Sequence, residues 1–108
     1  MDEKTIEEVE NKLREIADEE DIELDTVLLF GSRTRNDYVE ESDIDILVVS
    51  KDFEGIKWYK RGGEFQRSWD YQNLPTPEII CLTPEEFEER KSKLGDVVRR
   101  AVQEGVRV

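Results

Sequence analysis

The sequence predicts one small α/β domain of the α+β type, with a mixed sheet of three or more strands flanked by helices. Two observations predict this fold class. Apolar residues recur at helical spacing over residues 5–17, and short apolar runs occur at residues 27–30, 44–49 and 78–82. At 108 residues the chain has room for one hydrophobic core, so residues 1–108 are assigned to a single domain. Because 41% of the residues are charged, folding depends on this clustering of the apolar residues.

The first predicted element is a helix that begins at a capping box. Thr5 is the cap and Glu8 stands three residues later, and apolar residues then recur at helical spacing as far as Ala17. This spacing predicts one buried and one solvated face. A short strand follows at residues 27–30 and ends at a Gly-Ser turn.

The second predicted strand, residues 42–50, carries acidic residues within an apolar run. Its alternation separates two faces, one with Ile44, Ile46 and Val48 and the other with Asp43, Asp45, Leu47 and Val49. The face with the aspartates therefore needs a chemical explanation, because strands disfavour Asp.

The second half of the chain is predicted to be mainly helical around a third strand at residues 78–82. Residues 53–73 are predicted to be mostly helical, with Gly62-Gly63 as an interruption. A helix starts after the strand at Thr83, and another ends near Gly105. The predicted order is α-β-(turn or helix)-β-α-β-α-α.

Charge and composition exclude several classes of protein. The 28 acidic and 16 basic residues give a net charge of −12, which repels nucleic acid and anionic membranes. Basic and aromatic residues interleave at residues 57–67, where either a nucleic-acid contact or a solvated helix face fits; we expect no direct nucleic-acid binding. No stretch is typical of a membrane span or a signal peptide, which predicts a cytoplasmic protein without membrane contact.

Histidine and cysteine usage narrows the chemistry further. The chain has no histidine, which excludes Ser-His-Asp and Cys-His catalysis and any His-ligated zinc site. The single cysteine, Cys81, lies in an apolar run and is interpreted as a small buried hydrophobe rather than a nucleophile.

Asp43 and Asp45 are candidate ligands for a divalent cation. Two residues apart on a strand, their carboxylates leave the same face and repel each other unless a cation lies between them. Mg²⁺ prefers oxygen ligands and is usually held by one or two carboxylates together with substrate phosphates. A strand-flanking turn or cap role for Asp43 is the alternative.

The Gly31-Ser32 turn is a candidate phosphate-binding element. Only ten residues separate Ser32 from Asp43, so adjacent strands would place the turn beside the aspartates. Glycine allows the close approach of a phosphate, which the following amides and the Ser32 hydroxyl would bind. A merely structural Gly-Ser turn is the alternative.

Together these residues resemble a known family. The run LLFGSRTRNDYVEESDIDILVV, residues 28–49, is similar to the signature of the minimal nucleotidyltransferases of the DNA polymerase β-like superfamily. The run PEIICLTPEEFEERK, residues 77–91, resembles the third strand and following helix of these proteins, whereas residues 53–73 match least. The resemblance implies a nucleotidyltransferase fold with Mg²⁺ or Mn²⁺ as cofactor.

The resemblance also implies a third metal carboxylate at the start of the next strand. The family usually has an aspartate there, and Glu78 stands at the corresponding place. Asp43, Asp45 and Glu78 are thus the implied catalytic and metal-binding residues, with a solvent-facing strand-start role as the alternative for Glu78. Arg33 and Arg35 follow the Gly-Ser turn and either contact the triphosphate or remain surface charges.

The activity implied by the resemblance is transfer of a nucleoside monophosphate from an NTP, with ATP expected, to an acceptor hydroxyl. Small members of the family are often paired with a helical HEPN-type toxin, which they can adenylylate as antitoxins. A catalytically weak or inactive module that binds nucleotide or a partner is the alternative function. The aromatic residues Trp58, Tyr59, Phe65, Trp69 and Tyr71 are interpreted as core plus a possible subunit interface, so an oligomer stays open.

Overall fold

The computed structural model describes residues 2–31 and 44–108, and these residues form a mixed sheet with helices on both faces. In chain order the elements are α1 (Glu3–Glu19), β1 (Thr26–Phe30), β2 (Ile44–Val49), α2 (Gly63–Ser68), β3 (Pro77–Leu82), α3 (Pro84–Arg90), α4 (Val97–Glu104) and β4 (Val106–Arg107). The strand order is β3-β2-β1-β4, in which β2 and β3 are parallel and the other pairs antiparallel. The predicted fold class is confirmed.

Strand β2 is buried on both faces, and its alternation divides the core into two clusters. Ile44, Ile46 and Val48 pack in the cluster that includes the apolar face of α1. Leu47 and Val49 pack in the cluster that includes Val98 and Ala101 of α4. The predicted alternation is confirmed for residues 44–49, and it places Asp45 on the face that carries α4.

The first helix begins earlier than the sequence pattern indicated. Its N-cap is Asp2, whose carboxylate accepts a hydrogen bond from the Thr5 amide at 2.7 Å, and the helix starts at Glu3. The prediction of Thr5 as the cap is therefore wrong by three residues. Aspartate is at least as good a cap as threonine, and its charge also interacts favourably with the positive end of the helix dipole.

The prediction that residues 53–73 are mostly helical is wrong. Only α2 is α-helical there, and short 3-10 turns cover Lys51–Phe53 and Trp58–Lys60. Gly62 has a φ of +82° and precedes α2, so the glycine pair begins a helix instead of interrupting one. Tertiary contacts override helix propensity in this segment, because two of its aromatic residues, Phe65 and Trp69, are drawn into the core.

Strand β4 was not predicted, because two residues carry no readable alternation. It pairs with β1 directly after α4, whose C-cap is Gly105, as the sequence indicated. A Cβ on Gly105 would collide with the Ala101 carbonyl oxygen and lie 3.0 Å from that of Leu29. The glycine therefore lets the backbone pass closely from the helix onto the sheet.

A buried arginine attaches the irregular middle segment to the sheet and to α3. The Arg61 side chain, only 7% exposed, donates to both carboxylate oxygens of Glu86 at 2.5 and 3.3 Å, and also to the carbonyl oxygens of Ile56 and Cys81. Glu86 completes the predicted capping box with Thr83. The hydrogen bond from Arg61 is the main reason that the pKa of Glu86 is lowered. Arg61 thus belongs to the interior rather than to a basic surface patch.

We expect Arg61→Met to lower the free energy of unfolding by about 1–2 kcal/mol at pH 7, since it removes hydrogen bonds to a charged group that is partly exposed to solvent screening. Because the folded-state pKa of Glu86 is lowered, the stabilisation is complete above pH 4.5, the ordinary glutamate value, and is lost as the pH falls through the folded-state pKa. Urea unfolding at several pH values measures this. Arg14→Met, which removes an exposed helical pair with Glu10, should cost less than about 0.5 kcal/mol; equal losses in the two variants would contradict the role of Arg61.

Candidate active site

The candidate site is built around a contact between Gly31 and Asp45. Asp45 lies opposite Phe30 in the antiparallel register of β1 and β2, and Gly31 follows Phe30 at the end of β1. Gly31 has a φ of +101°, and a Cβ added to it would lie 2.5 Å from Oδ2 and 3.3 Å from Cγ of Asp45. Only glycine fits here, because both the backbone conformation and the half-buried carboxylate exclude a side chain.

Glu78 lies beside Asp45 on the neighbouring strand. The two residues are partners in the parallel register of β2 and β3, so their side chains leave the same face of the sheet. Adjacent strands are about 4.8 Å apart, which brings the two carboxylates within reach of one common ligand. Asp45 is half-buried and Glu78 is exposed. The structure thus brings together three of the predicted site residues, Gly31, Asp45 and Glu78.

The remaining predicted site residues, Ser32, Arg33, Arg35 and Asp43, lie outside the described residues. Within residues 2–31 and 44–108, no group of three acidic, histidine or cysteine side chains is arranged to hold a metal ion. The described part of the candidate site therefore consists of a carboxylate pair with a glycine packed against it.

Charge is distributed unequally over the two faces of the sheet. Residues 2–25, which include α1, contain twelve acidic and three basic residues, whereas residues 90–108, which include α4, contain six basic and two acidic residues. Helices α1 and α4 pack on opposite faces, and α3 packs with α4 through Phe87. Residues 83–108, which include α3 and α4, together contain six acidic and six basic residues. The segments on the face with Asp45 and Glu78 are therefore balanced in charge, whereas the segment that includes α1 is strongly acidic. Counting charge by segment would have found this asymmetry, which the net charge conceals.

Cys81 is not part of the site. Its side chain is buried, and burial raises the pKa of the thiol to about 12. The prediction of a buried cysteine is confirmed, and a raised thiol pKa disfavours the reactive thiolate.

The whole-chain comparison defines the class of protein. The family described as "Nucleotidyltransferase domain" matches residues 7–108. The chain belongs to this family, as the resemblance of residues 28–49 indicated.

Two relatives from Methanocaldococcus jannaschii match this chain over shorter stretches of sequence. Two proteins of Methanocaldococcus jannaschii, each named "Putative protein adenylyltransferase", are 53% identical over 34 residues and 58% identical over 31 residues. These stretches cover 32% and 28% of this chain, and 34% and 31% of the relatives, so the match spans about a third of their length.

A solved structure supports the same fold. The crystal structure of a "putative nucleotidyltransferase" from Sulfolobus solfataricus superposes with a TM-score of 0.59 at 28% identity, covering 80% of this chain and 73% of that one. In the described part of the present chain, no helix is both long and apolar enough to cross a bilayer.

We expect Gly31→Ala to destabilise the protein more than Gly55→Ala does. Both glycines have a positive φ, which costs a residue with a side chain about 1–2 kcal/mol, but a Cβ meets nothing within 4 Å at Gly55 and the Asp45 carboxylate at Gly31. Denaturant unfolding should show at least about 1 kcal/mol of additional loss at Gly31. In a double-mutant cycle, Asp45→Ala should remove this additional loss. An unchanged loss in the double variant would contradict the contact.

Proposed function

We propose that this protein is a metal-dependent nucleotidyltransferase that moves a nucleoside monophosphate from ATP to a hydroxyl group of a protein. The observation that carries the proposal is the alignment of Asp45 with Glu78 on neighbouring strands, with Gly31 packed against Asp45. Family membership supports the reaction class.

The residues fit a divalent cation, Mg²⁺ or Mn²⁺. Two carboxylates on one face of adjacent strands repel each other, and a hard cation that prefers oxygen ligands relieves this repulsion. Asp43, two residues before Asp45, would add a third carboxylate from the same strand. When bound, the cation would neutralise phosphate charge and favour ionisation of the acceptor hydroxyl.

The remaining residues would bind and orient the nucleotide. The backbone at Gly31 and Ser32 would approach the phosphates closely, and the Ser32 hydroxyl would donate to a phosphate oxygen. Residues 83–108, on the same face as the carboxylates, are balanced in charge, so an anionic substrate would meet less repulsion there than on the acidic α1 side.

The acceptor in this proposal is a hydroxyl on a partner protein, in the cytoplasm. The names of the two relatives support a protein acceptor. The resemblance to minimal nucleotidyltransferases supports a helical HEPN-type toxin as that partner, with this chain as its antitoxin. Incubation with α-labelled ATP, Mg²⁺ and a HEPN protein encoded beside this chain should label the HEPN protein. A chain that binds ATP and never transfers its nucleotide would instead fit a partner-binding module.

We expect Mg²⁺ with ATP to raise the melting temperature by several degrees, because a ligand that binds only the native state stabilises it. Asp43→Asn combined with Asp45→Asn should abolish this shift and leave the protein folded. Glu7→Gln with Glu8→Gln, on the exposed side of α1, changes the charge equally and should preserve the shift. Differential scanning fluorimetry measures all three proteins, and a persistent shift in the aspartate variant would argue against the cation site.

We expect Glu78→Gln to slow transfer at least tenfold, about 1.4 kcal/mol of barrier, while ATP affinity changes by less than about threefold. The reason is that Asp43 and Asp45 would suffice to hold the metal bound to the triphosphate, whereas a third carboxylate assists the acceptor hydroxyl. Glu78→Asp, the usual family residue, should retain or raise activity. Glu85→Gln, an exposed glutamate on α3, is the control. Full activity in Glu78→Gln would make Glu78 an ordinary strand-start residue.

A further inference from the structure

A cleft of about 500 Å³ lies along β3, and its lining on this strand begins at Ile79, the residue after Glu78. Its walls include Trp58 and Tyr59 from the irregular middle segment, Ile80 and Leu82 from β3, and Val97 at the start of α4. Its volume lies within the usual range of small-ligand sites, roughly 300–1,000 Å³.

Part of the cleft lining lies on the face of the sheet that carries the carboxylate pair, whereas Ile79 and Cys81 pack on the α1 side. Ile80 and Leu82 alternate in phase with Glu78 along β3, and Leu82 packs in the cluster on the α4 side. A strand rises about 3.3 Å per residue, so Ile80 lies about 7 Å from Glu78 along the strand. A nucleotide with its phosphates at Asp45 and Glu78 could therefore extend its base into the cleft.

The charged side chains that line the cleft are neutralised within the chain. Arg61 is paired with Glu86, and Arg90 donates to both carboxylate oxygens of Asp96 at 3.0 and 3.1 Å. The described lining is therefore apolar and aromatic in character, with its cations already paired. Such a lining suits an uncharged planar group better than a phosphate.

Two aromatic rings in the cleft are open to solvent. Trp58 is 77% exposed and Tyr59 is 61% exposed, and their rings meet edge to face with centroids 5.8 Å apart. A nucleobase can stack on such a ring, because every base has a π-face. Both residues lie outside the Gly-Ser and Asp-x-Asp motifs.

We propose that this cleft binds the nucleobase of the nucleoside triphosphate, which stacks on Trp58 with Tyr59 as the second wall. The inference rests on the proposed function, because it assumes that the phosphates bind at Asp45 and Glu78. It assigns base recognition to residues outside the Gly-Ser and Asp-x-Asp motifs.

Isothermal titration of the full chain with Mg²⁺–ATP and with Mg²⁺–tripolyphosphate tests this proposal, since tripolyphosphate lacks the nucleoside. Trp58→Ala should weaken ATP binding at least tenfold and change tripolyphosphate binding by less than twofold. Tyr71→Ala replaces an exposed aromatic residue outside the cleft and should leave both affinities unchanged. Trp58→Phe keeps a ring and should lose less ATP affinity than Trp58→Ala. Matching melting temperatures establish that the variants fold.

Fluorescence gives an independent readout, because Trp58 is exposed and the other tryptophan, Trp69, is buried. ATP should quench the emission of the parent protein, and Trp58→Phe should abolish the quenching.

Unchanged ATP affinity in Trp58→Ala would overturn the proposal, as would an equal loss for ATP and tripolyphosphate. Unchanged ATP affinity together with a shift from dimer to monomer in sedimentation would assign the cleft to contact between copies of the chain. If the parent protein binds ATP no more tightly than tripolyphosphate, the assignment of the cleft to the base is wrong, whereas the proposed function is not contradicted. Failure of the parent protein to bind either ligand would overturn both.

Discussion

Burial of β2 on both faces is the constraint on which the rest of the structure depends. Its apolar residues alternate between the α1 cluster and the α4 cluster, so a slip of one residue would exchange the two sets and move Asp45 to the side of α1. Because both faces of β2 are packed, this one-residue slip is not tolerated. The same register sets Asp45 opposite Phe30 on one side and Glu78 on the other. The hydrophobic core therefore determines which carboxylates meet.

The middle of the chain is organised by side chains rather than by regular backbone structure. Between β2 and β3 only α2 is α-helical. The side chain of Arg61 connects this segment to β3 and to α3 through hydrogen bonds. Its guanidinium joins a carbonyl of its own segment, a carbonyl of β3 and the cap of α3. This attachment holds Trp58 and Tyr59, which have little burial of their own, beside β3. An internal ion pair thus positions an exposed aromatic surface.

The sequence predicted the elements in which burial is strongly patterned. The strands and the capping box at Thr83 follow from alternation and from fixed cap spacing, and the position of Glu78 beside Asp45 follows from the family resemblance. The predictions failed where local signals compete. At the first helix, Asp2 and Thr5 are both good caps, and the structure uses Asp2. In residues 53–73 the spacing of the aromatic residues suggested a helix, but tertiary contacts determine where these residues lie. The sequence predicted that Gly31 lies near Asp45. It did not predict the positive φ of Gly31 or its close contact with the Asp45 carboxylate, because both are properties of the folded backbone.

The two carboxylates in the described part of the candidate site differ in how firmly they are held, which bears on the glutamate at position 78. Asp45 is half-buried, short, and packed against the backbone of Gly31, so its carboxylate has little freedom to move. Glu78 is exposed and has one more methylene, so it can adopt several rotamers. In the proposed site one ligand is therefore fixed by the fold while the other adjusts to the cation. Ordering the longer side chain costs additional conformational entropy, so Glu78 would be a weaker ligand than the usual aspartate in the resting protein. In the proposed site the cation and the phosphates would together offset that cost, so a glutamate at this position would make assembly of the site depend more strongly on bound nucleotide.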